Sequence, residues 1–297
     1  MRGDRADESI VNGGNSAMSR LQLFVGAVVG LIATSVCAAP PAANVLFSID
    51  SGPAFVTTIA GTAVAGGNQS YVANYADTGG AWTLSCTISA DYMANPQAGL
   101  VGIITYQNLS ASTQTFSWAL DVQLCRAIHG ASMIGGTGTL TLTTVGPGTV
   151  SCLNNVPLLR AVADGSEVGS MFLCPMNLGS SGSGTATVNS SFGTPVPALA
   201  GPTSINVIGQ REQFTITAGD KVKFQFVLVF KDTTPETCAG DLNGDAIVNG
   251  MDLSYLLYSW GNTSPCSETI SGDIDGNGAV DATDLTTLLT NWGSCAG

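Results

Sequence analysis

Charged side chains are scarce in this sequence, and basic ones are the scarcest. Only 10% of the 297 residues are charged, with 9 Lys and Arg against 21 Asp and Glu, so the formal net charge is −12 at pH 7. A chain with so few cations cannot build the basic patch that neutralises phosphates, which argues against a nucleic-acid partner. Histidine is nearly absent too, because His129 is the only one. A zinc site is therefore not predicted among the irregularly spaced cysteines.

Long apolar runs are also missing. The longest covers residues 21–33, apolar apart from Gln22, and no run approaches the roughly 20 apolar residues of a membrane span. Arg20 precedes this run and small residues at 36–38 follow it, which is the pattern of a secretory signal peptide. We therefore expect residues 1–38 to be a leader whose true start is Met18. The predicted product is a bacterial protein, secreted or attached to the cell surface, with no membrane span after signal removal.

Residues 39–232 alternate apolar and polar side chains with a period of two. Such strands bury one face and expose the other. Turn clusters at 65–68, 146–148 and 179–184 interrupt the pattern. We predict an all-β antiparallel sandwich, jelly-roll or Ig-like, for this region. The apolar alternating residues are Trp82, Leu84, Cys86, Ile88, Phe116, Trp118, Leu120, Val122, Leu124, Val222, Phe224, Phe226, Leu228 and Phe230.

No catalytic constellation stands out in the predicted sandwich. A glycosidase needs two carboxylates that flank a cleft. Strand alternation places Asp121 opposite its apolar neighbours, where a solvated carboxylate is expected, and His129 lacks a nucleophile or metal partner nearby. We predict no catalytic residue and no organic cofactor. The carboxylates considered are Asp50, Asp77, Asp91, Asp121, Asp164, Glu167, Glu212 and Asp220.

Aromatic side chains of the same region leave a second possibility open. The alternation assigns Trp82 and Trp118 to the core. Tyr71, Tyr75 and Tyr106 remain candidates for an exposed sugar-stacking platform.

The chain ends with an acidic segment that occurs twice, from Asp241 to Asp252 and from Asp273 to Asp284. Both copies place side-chain oxygens at loop positions one, three, five, nine and twelve, the spacing with which a short loop surrounds Ca²⁺. Residues 238–297 contain seven Asp, one Glu and no Lys or Arg, so we expect calcium binding and folding to be coupled. The predicted ligands are Asp241, Asn243, Asp245, Asn249 and Asp252 in the first loop, and Asp273, Asp275, Asn277, Asp281 and Asp284 in the second.

An apolar stripe follows each loop at positions i, i+3, i+4 and i+7, which predicts a helix with one apolar face. A glycine after each tryptophan, Gly261 and Gly293, is the expected C-cap. Neither loop is preceded by helical periodicity, so the entering helix of an ordinary EF-hand is not predicted. The stripes are Leu253, Leu256, Leu257 and Trp260, then Leu285, Leu288, Leu289 and Trp292.

Two loop-helix units without entering helices resemble a type I dockerin domain, particularly in the Asp-x-Asn-Gly-Asp and Asp-x-Asp-Gly-Asn openings. The resemblance covers residues 238–297, behind a linker at 233–237. It implies two calcium ions, with the carbonyls of Ile247 and Ala279 as further ligands and bidentate binding by the closing aspartates. It also implies packing about a pseudo-twofold axis and docking onto a cohesin-like module of another protein.

The sequence departs from that family pattern in two places. Position six of the first loop is Ala246, where glycine usually permits a positive φ, whereas the second loop has Gly278. We therefore expect the first calcium site to be the weaker. Loop positions ten and eleven, often Ser-Thr in the family, are Gly250-Met251 and Ala282-Thr283, so the resemblance does not specify the partner.

The cysteines fit an oxidising compartment. Without Cys37 of the leader seven remain, and the four of the middle region could form two bridges in three ways: Cys86, Cys125, Cys152 and Cys174. A bridge between Cys238 and Cys295 would clasp the ends of the acidic repeats. A bridge between Cys238 and Cys266 is the competing choice.

Three functions are compatible with these observations. The leading one is a secreted non-catalytic β-sandwich, held by its calcium-dependent dockerin-like module on a cohesin-like scaffold or envelope receptor. The second is a component of polysaccharide degradation, with the sandwich as a divergent carbohydrate-binding domain or, if an enzyme, a glycoside hydrolase. In the third, the calcium repeats are only a structural cap.

Overall fold

The computed structural model describes residues 22–23, 41–50, 52–64, 68–94, 97–129, 131–233, 238–243, 245–262, 272–275 and 279–295, apart from the side chains of residues 22–23, 91–94, 97, 125–127 and 129. The predicted cleavage region at 36–38 therefore lies outside the described residues. Before residue 233 every helix or strand of the described chain is a strand. The strands are β1 (Gln22–Leu23), β2 (Ala43–Ile49), β3 (Phe55–Ile59), β4 (Thr62–Ala63), β5 (Gln69–Ala76), β6 (Trp82–Ala94), β7 (Gln97–Asn108), β8 (Gln114–His129), β9 (Ser132–Thr144), β10 (Gly148–Cys152), β11 (Leu159–Ala163), β12 (Ser166–Met171), β13 (Asn177–Ser180), β14 (Gly184–Phe192), β15 (Leu199–Ala200), β16 (Ser204–Ile216) and β17 (Lys221–Asp232).

These strands form two antiparallel sheets. The first has the order β1-β5-β6-β7-β17-β9-β14, with β4 paired to β5 and β15 paired to β9. The second has the order β12-β11-β16-β8-β2-β3, with β10 joining β16 to β13. Strand β17 lies inside the first sheet, where it pairs with β7 and β9 from Lys221 to Lys231.

The two sheets face each other across one apolar core. The ring centroids of Phe214 in β16 and Phe224 in β17 are 5.0 Å apart, as are those of Phe47 in β2 and Tyr75 in β5. Every apolar residue that the sequence assigned to alternating strands is buried. The all-β antiparallel sandwich is therefore confirmed, because facing sheets bury one side of each strand.

The tyrosine platform considered from the sequence is wrong. Tyr71 and Tyr106 are 0% exposed and Tyr75 is 2% exposed, because each occupies an inward position of its strand. Tyr71 satisfies its hydroxyl inside the protein by donating to Gln69 Oε1 at 2.8 Å. Trp82 and Trp118 lie in the core as predicted.

The structure contains two disulfides among its described residues. Cys152 pairs with Cys174, whereas Cys86 is buried and unbridged, so the idea that all four middle cysteines pair is wrong for Cys86. Cys238 pairs with Cys295, with their Cα atoms 5.4 Å apart, so of the two bridges that the sequence left open the structure contains the one that clasps the ends of the module. Cys266 lies outside the described residues.

The C-terminal module has its own small core. It consists of β18 (Ile247–Val248), α1 (Gly250–Tyr258), α2 (Ala282–Thr290) and β19 (Gly293–Ser294), and β18 pairs with β19. The fully buried members of this core are Val248, Leu256, Val280 and Leu288. Neither of the two described helices has the length and apolar character needed to cross a bilayer.

The predicted helix stripes are correct only in part. Leu253 and Leu285 pack against the small core beside the buried Leu256 and Leu288, but the last two members of each stripe are about half exposed: Leu257 at 53%, Trp260 at 45%, Leu289 at 52% and Trp292 at 50%. The helices end at Tyr258 and Thr290, so each tryptophan lies beyond the last helical turn. The valines of the two loops fill the core instead.

The predicted glycine caps also lie further along the chain than expected. The C-cap residues are Ser259 and Asn291. Gly261 and Gly293 follow two positions later, with φ of +77° and +125°. Both glycines thus adopt the positive φ expected of them, just outside the helix.

A polar cluster lies inside the sandwich around Glu212, which is 1% exposed. Its Oε2 accepts a hydrogen bond from the Tyr106 hydroxyl at 2.5 Å. With its amide oriented to satisfy both neighbours, Gln210 donates to Glu212 Oε1 and accepts from Trp118 Nε1, each at 2.9 Å. Burial raises the pKa of Glu212 to about 8, although the Tyr106 hydrogen bond acts in the opposite direction.

The Glu212 cluster makes the stability of the sandwich depend on pH. Between the ordinary glutamate value of 4.5 and about 8, the folded protein keeps a proton that the unfolded chain has lost. The free energy of unfolding therefore falls as pH rises through this window, with a slope of up to about 1.4 kcal/mol per pH unit from this group.

Replacement of Glu212 by Gln should abolish this component of the pH dependence. The amide keeps the size of the side chain and an acceptor for Tyr106 but has no proton to lose. In urea denaturation at pH 5, 6, 7 and 8, the variant should gain stability relative to wild type as pH increases, by several kcal/mol at pH 8. Glu167→Gln, at a carboxylate whose side chain is 45% exposed, is the control and should follow wild type. Parallel curves for Glu212→Gln and wild type would contradict the interpretation.

Candidate metal centre

The first acidic loop is closed by the carboxylate of Asp252. Its Oδ1 accepts from the backbone N–H groups of Leu242 at 2.9 Å and Asn243 at 3.2 Å, and its Oδ2 accepts from the N–H of Asn249 at 2.8 Å. Asn249 in turn caps α1, because its side chain accepts from Met251 N at 2.7 Å. Asp252 thereby ties the beginning of the loop to the beginning of the helix.

The second loop repeats this arrangement around Asp284. Its Oδ1 accepts from Ile274 N at 2.7 Å and Asp275 N at 3.1 Å, and its Oδ2 accepts from Asp281 N at 2.8 Å. Asp281 caps α2 by accepting from Thr283 N at 2.7 Å. Asp252 and Asp284 are both fully buried, and each lies in the first turn of its helix, where the helix dipole favours a negative charge.

The remaining predicted ligands of the first loop turn inward through hydrogen bonds to the loop backbone. Asp241 Oδ1 and Asn243 Oδ1 both accept from Asp245 N, at 3.1 and 2.9 Å, which places them on the same side of the loop. Asp245 Oδ1 accepts from Ile247 N at 2.9 Å. The Ile247 carbonyl lies within 3.2 Å of Asn249 Nδ2. These hydrogen bonds hold the side chains of Asp241, Asn243 and Asp245 against the backbone of the first loop.

Ala246 occupies the sharp turn of this loop with φ of +65°. A side chain in the left-handed region costs about 1 kcal/mol or more relative to glycine. The loop accepts this strain because Ala246 N donates to Asp241 Oδ2 at 2.8 Å. The equivalent residue of the second loop, Gly278, lies outside the described residues, as does the predicted ligand Asn277.

In the second loop three carboxylates meet. Asp273, Asp275 and Asp284 each direct an oxygen to a point where the three oxygens lie within 4.8 Å of one another. Oxygens that share one Ca²⁺ at about 2.3–2.6 Å can be separated by up to about 5 Å, so this group fits a calcium ion. Two of the other predicted donors, Ala279 and Asp281, lie in the same loop, half-buried and exposed respectively.

The same three carboxylates would repel one another without a cation. Two like charges about 4 Å apart cost on the order of 1 kcal/mol in water and about 4 kcal/mol near a protein surface. The module from residue 238 onward has no Lys or Arg with which to offset this cost. A second cluster, in which Asp241 lies near Cys238 and Cys295, is not a thiolate site, because the two sulfurs are joined in a disulfide.

The two units exchange contacts reciprocally. Gly261 N donates to Val280 O at 2.9 Å and Val280 N donates to Asn262 O at 3.0 Å, so the end of the first unit binds the second loop. Cys295 N donates to Ala246 O at 3.0 Å, so the end of the second unit binds the first loop. This exchange is what a pseudo-twofold arrangement requires.

Two glycines that the sequence reasoning missed lie at this junction. A Cβ on Gly240 would approach Leu288 Cα at 3.2 Å, and a Cβ on Gly272 would approach Leu256 Cα at the same distance. Both have a positive φ, of +101° and +110°. The signal was available, because the two glycines are 32 residues apart, as are Val248 and Val280, which is the period of the acidic loops.

The carboxylates considered for catalysis have structural partners in the sandwich. Asp121 is ion-paired with Arg211, with Oδ1 2.8 Å from Nη1, which corrects the expectation of a merely solvated side chain. Other carboxylates accept from backbone N–H groups: Asp50 from Thr115, Asp77 from Ala81, Asp164 from Asn206 and Val207, and Asp220 from Val145. The side chains of Asp91 and His129 lie outside the described part of the chain.

Three solved structures that match this chain are distant from it in sequence and in fold score. TmCBM61, solved in complex with β-1,4-galactotriose, is 12% identical over 50% of this chain and 86% of its own, with a TM-score of 0.23. The enzymatically active domain of tailspike protein 4 from bacteriophage CBA120 is 10% identical over 49% of this chain and 19% of its own, with a TM-score of 0.21. A structure of carbohydrate-binding modules from the β-sandwich superfamily is 12% identical over 65% of this chain and 84% of its own, with a TM-score of 0.17. Scores this low carry no argument about function.

Comparisons of sequence give a clearer result for the C-terminal module. No curated protein matches the chain. Residues 239–291, however, match the family described as the dockerin type I domain. This range contains both acidic loops and both helices, whose geometry is given above. The C-terminal end of the chain is therefore a type I dockerin domain.

Proposed function

We propose that this protein is a secreted, non-catalytic β-sandwich that its dockerin domain attaches, in a calcium-dependent manner, to a cohesin-like module of a scaffold or envelope receptor. The observation that carries this proposal is the exposed apolar surface of α1. Met251 is 57% exposed, Tyr255 45% and Tyr258 91%. Exposed aromatic and methionine side chains in one patch are typical of a protein-binding surface.

The outer surface of α2, which the 32-residue repeat makes equivalent to that of α1, has a different composition. The residues of α2 at equivalent positions, 32 residues later, are Thr283, Thr287 and Thr290. The hydroxyls of Thr287 and Thr290 donate to carbonyls of their own helix, at 3.0 and 2.7 Å. One helix therefore offers an apolar surface and the other a surface of methyl groups and internally bonded hydroxyls. We infer that α1 is the helix that docks.

Calcium has a structural part in this proposal. The ligands would be Asp241, Asn243, Asp245, Asn249 and Asp252 with the Ile247 carbonyl, and Asp273, Asp275, Asn277, Asp281 and Asp284 with the Ala279 carbonyl. An ion in each loop offsets the repulsion of its carboxylates and fixes the start of the adjacent helix. The ions thereby hold α1 in the position in which its outer surface can bind.

Other features support secretion and a division into two domains. The disulfides Cys152–Cys174 and Cys238–Cys295 suit an oxidising compartment outside the cytosol. The sandwich and the C-terminal module have separate hydrophobic clusters. This separation supports a sandwich domain at 39–232, a linker at 233–237 and a docking domain at 238–297. The leader at 1–38 is proposed from its sequence pattern, and residues 22–23 within it form β1, which pairs with β5. The hydrogen-bonded carboxylates of the sandwich support a non-catalytic role.

Calorimetric titration of the full chain should give two equivalents of bound calcium, one for each loop. Asp241→Ala should remove one equivalent and Asp273→Ala the other, because each residue holds the first position of its loop. Ser254→Ala, on the exposed side of α1, is the control and should keep both. Retention of two equivalents by the Asp273→Ala variant would contradict the ligand assignment.

Ala246→Gly should strengthen calcium binding at the first loop. Glycine adopts the positive φ of this position without the strain of a Cβ, and relief of about 1 kcal/mol corresponds to roughly fivefold tighter binding. Titration of Ala246→Gly in the Asp273→Ala background isolates the first site. Ala282→Gly in that background is the control at the start of the other helix. An unchanged dissociation constant for Ala246→Gly would show that the strain does not weaken the site.

Docking is tested by giving α1 the residues of α2. Met251→Thr with Tyr258→Thr should weaken binding to a cohesin-bearing protein of the parent envelope roughly 30-fold or more, about 2 kcal/mol, because buried aromatic anchors dominate interfaces. The partner is first captured from the envelope with the wild-type protein and identified. Surface plasmon resonance then measures the affinity of each variant for this partner, with and without calcium. Thr283→Ala with Thr290→Ala is the matched control and should bind like wild type.

Two results would overturn the docking proposal. Capture of no cohesin-bearing partner, with or without calcium, would favour the structural cap. Loss of binding in the α2 control, with full binding in the α1 variant, would place the interface on the other helix.

A further inference from the structure

The outer surface of the nine-stranded sheet has an unusual composition where β7, β17, β9 and β14 lie side by side. Strand β9 presents Thr137, Thr139, Thr141 and Thr143 outward, at every second position. Register pairs these threonines with outward residues of β17 on one side and β14 on the other. At the outward positions of residues 101–107, 137–143, 185–191 and 221–227 there is no Asp or Glu, although the chain has a net charge of −12.

A groove of about 610 Å³ runs over this surface. Part of its lining is apolar: Val101 is 47% exposed, Ile103 44% and Val227 38%. Val101 and Val227 are direct neighbours across β7 and β17, so their side chains form a continuous strip. The strip is exposed to solvent although it could be polar without cost to the sandwich core, which lies on the opposite face of the sheet.

Hydrogen-bonding groups line the other side of the groove. Thr139 Oγ1 donates to Asn189 Oδ1 at 2.7 Å, which orients the amide so that its nitrogen is directed away from Thr139. Gln225, in register with Thr139, is half-buried beside them. The groove therefore combines an apolar strip with hydroxyl and amide groups and has no charged residue in its lining.

We propose that this groove binds a strand of an uncharged polysaccharide. A sugar ring presents C–H groups on its faces and hydroxyls around its edge, which match the aliphatic strip and the Asn189, Gln225 and Thr139 groups. The groove has the volume of a typical ligand site. A cationic partner would find no carboxylate there, and the lining gives an anionic one no cation, since Lys221 and Lys223 lie at outward positions of β17 outside the lining. This binding goes beyond attachment through the dockerin domain and does not depend on it.

Affinity electrophoresis of the full chain tests the proposal with four soluble neutral probes: xylan, mixed-linkage β-glucan, galactan and mannan. At least one should retard wild type. Asn189→Ala with Gln225→Ala should weaken that retardation about tenfold or more, because two hydrogen bonds to the ligand are lost. Ile103→Thr, which keeps a β-branched residue on the strand, should also weaken it by removing apolar contact.

Thr143→Ala with Thr185→Ala is the matched control, since these residues form a directly opposed pair on β9 and β14 outside the groove. It should be retarded like wild type. Urea denaturation establishes that each variant is folded. Three results would overturn the proposal: no retardation by any of the four probes, equal retardation of folded groove variants and wild type, or retardation by polygalacturonate alone.

Discussion

The loop-closing carboxylates of Asp252 and Asp284 are the interactions on which the C-terminal module depends. Each accepts three backbone hydrogen bonds, two from the start of its loop and one from the residue that caps its helix. A buried carboxylate with several N–H donors is far more favourable than one without partners. The same carboxylates lie at the last ligand position of each loop. One side chain thus links loop closure, helix initiation and the proposed calcium site, and the position of the outer surface of α1 follows from it.

Reciprocal contacts join the two units into one small domain. Each loop receives hydrogen bonds from the end of the other unit, and Gly240 and Gly272 let the backbone of one unit approach a core leucine of the other. Among the described residues the core that results contains only four fully buried apolar residues, so the disulfide Cys238–Cys295 supplements it, as the proposed calcium ions would. The contacts inside the module follow the 32-residue repeat, whereas the residues on the outer surfaces of α1 and α2 differ. A domain with symmetric packing can therefore present a single apolar surface.

The sandwich follows a different constraint, in which each strand buries one face. Apolar residues, the tyrosines among them, occupy the inward positions, and the polar cluster around Glu212 is satisfied within that interior. The outward positions are then free of the demands of core packing. On the nine-stranded sheet, the outward positions of residues 101–107, 137–143, 185–191 and 221–227 carry threonines, amides, two lysines and a short aliphatic strip with no carboxylate, which is the basis for the proposed ligand groove.

The sequence by itself determined the alternating strands, the two acidic loops, the helices after them and the dockerin family. These are local or repeated patterns, legible because period, spacing and turn residues act over a few positions. Only the tertiary structure decided that Val248 and Val280 fill the module core, that the tryptophans lie outside it, and that Cys152 pairs with Cys174. It also decided that Tyr106 donates a hydrogen bond to Glu212, 106 residues away, and that side chains of four strands line one groove. Such contacts depend on which distant strands become neighbours and in which register, and residue spacing along the chain carries no direct record of that pairing.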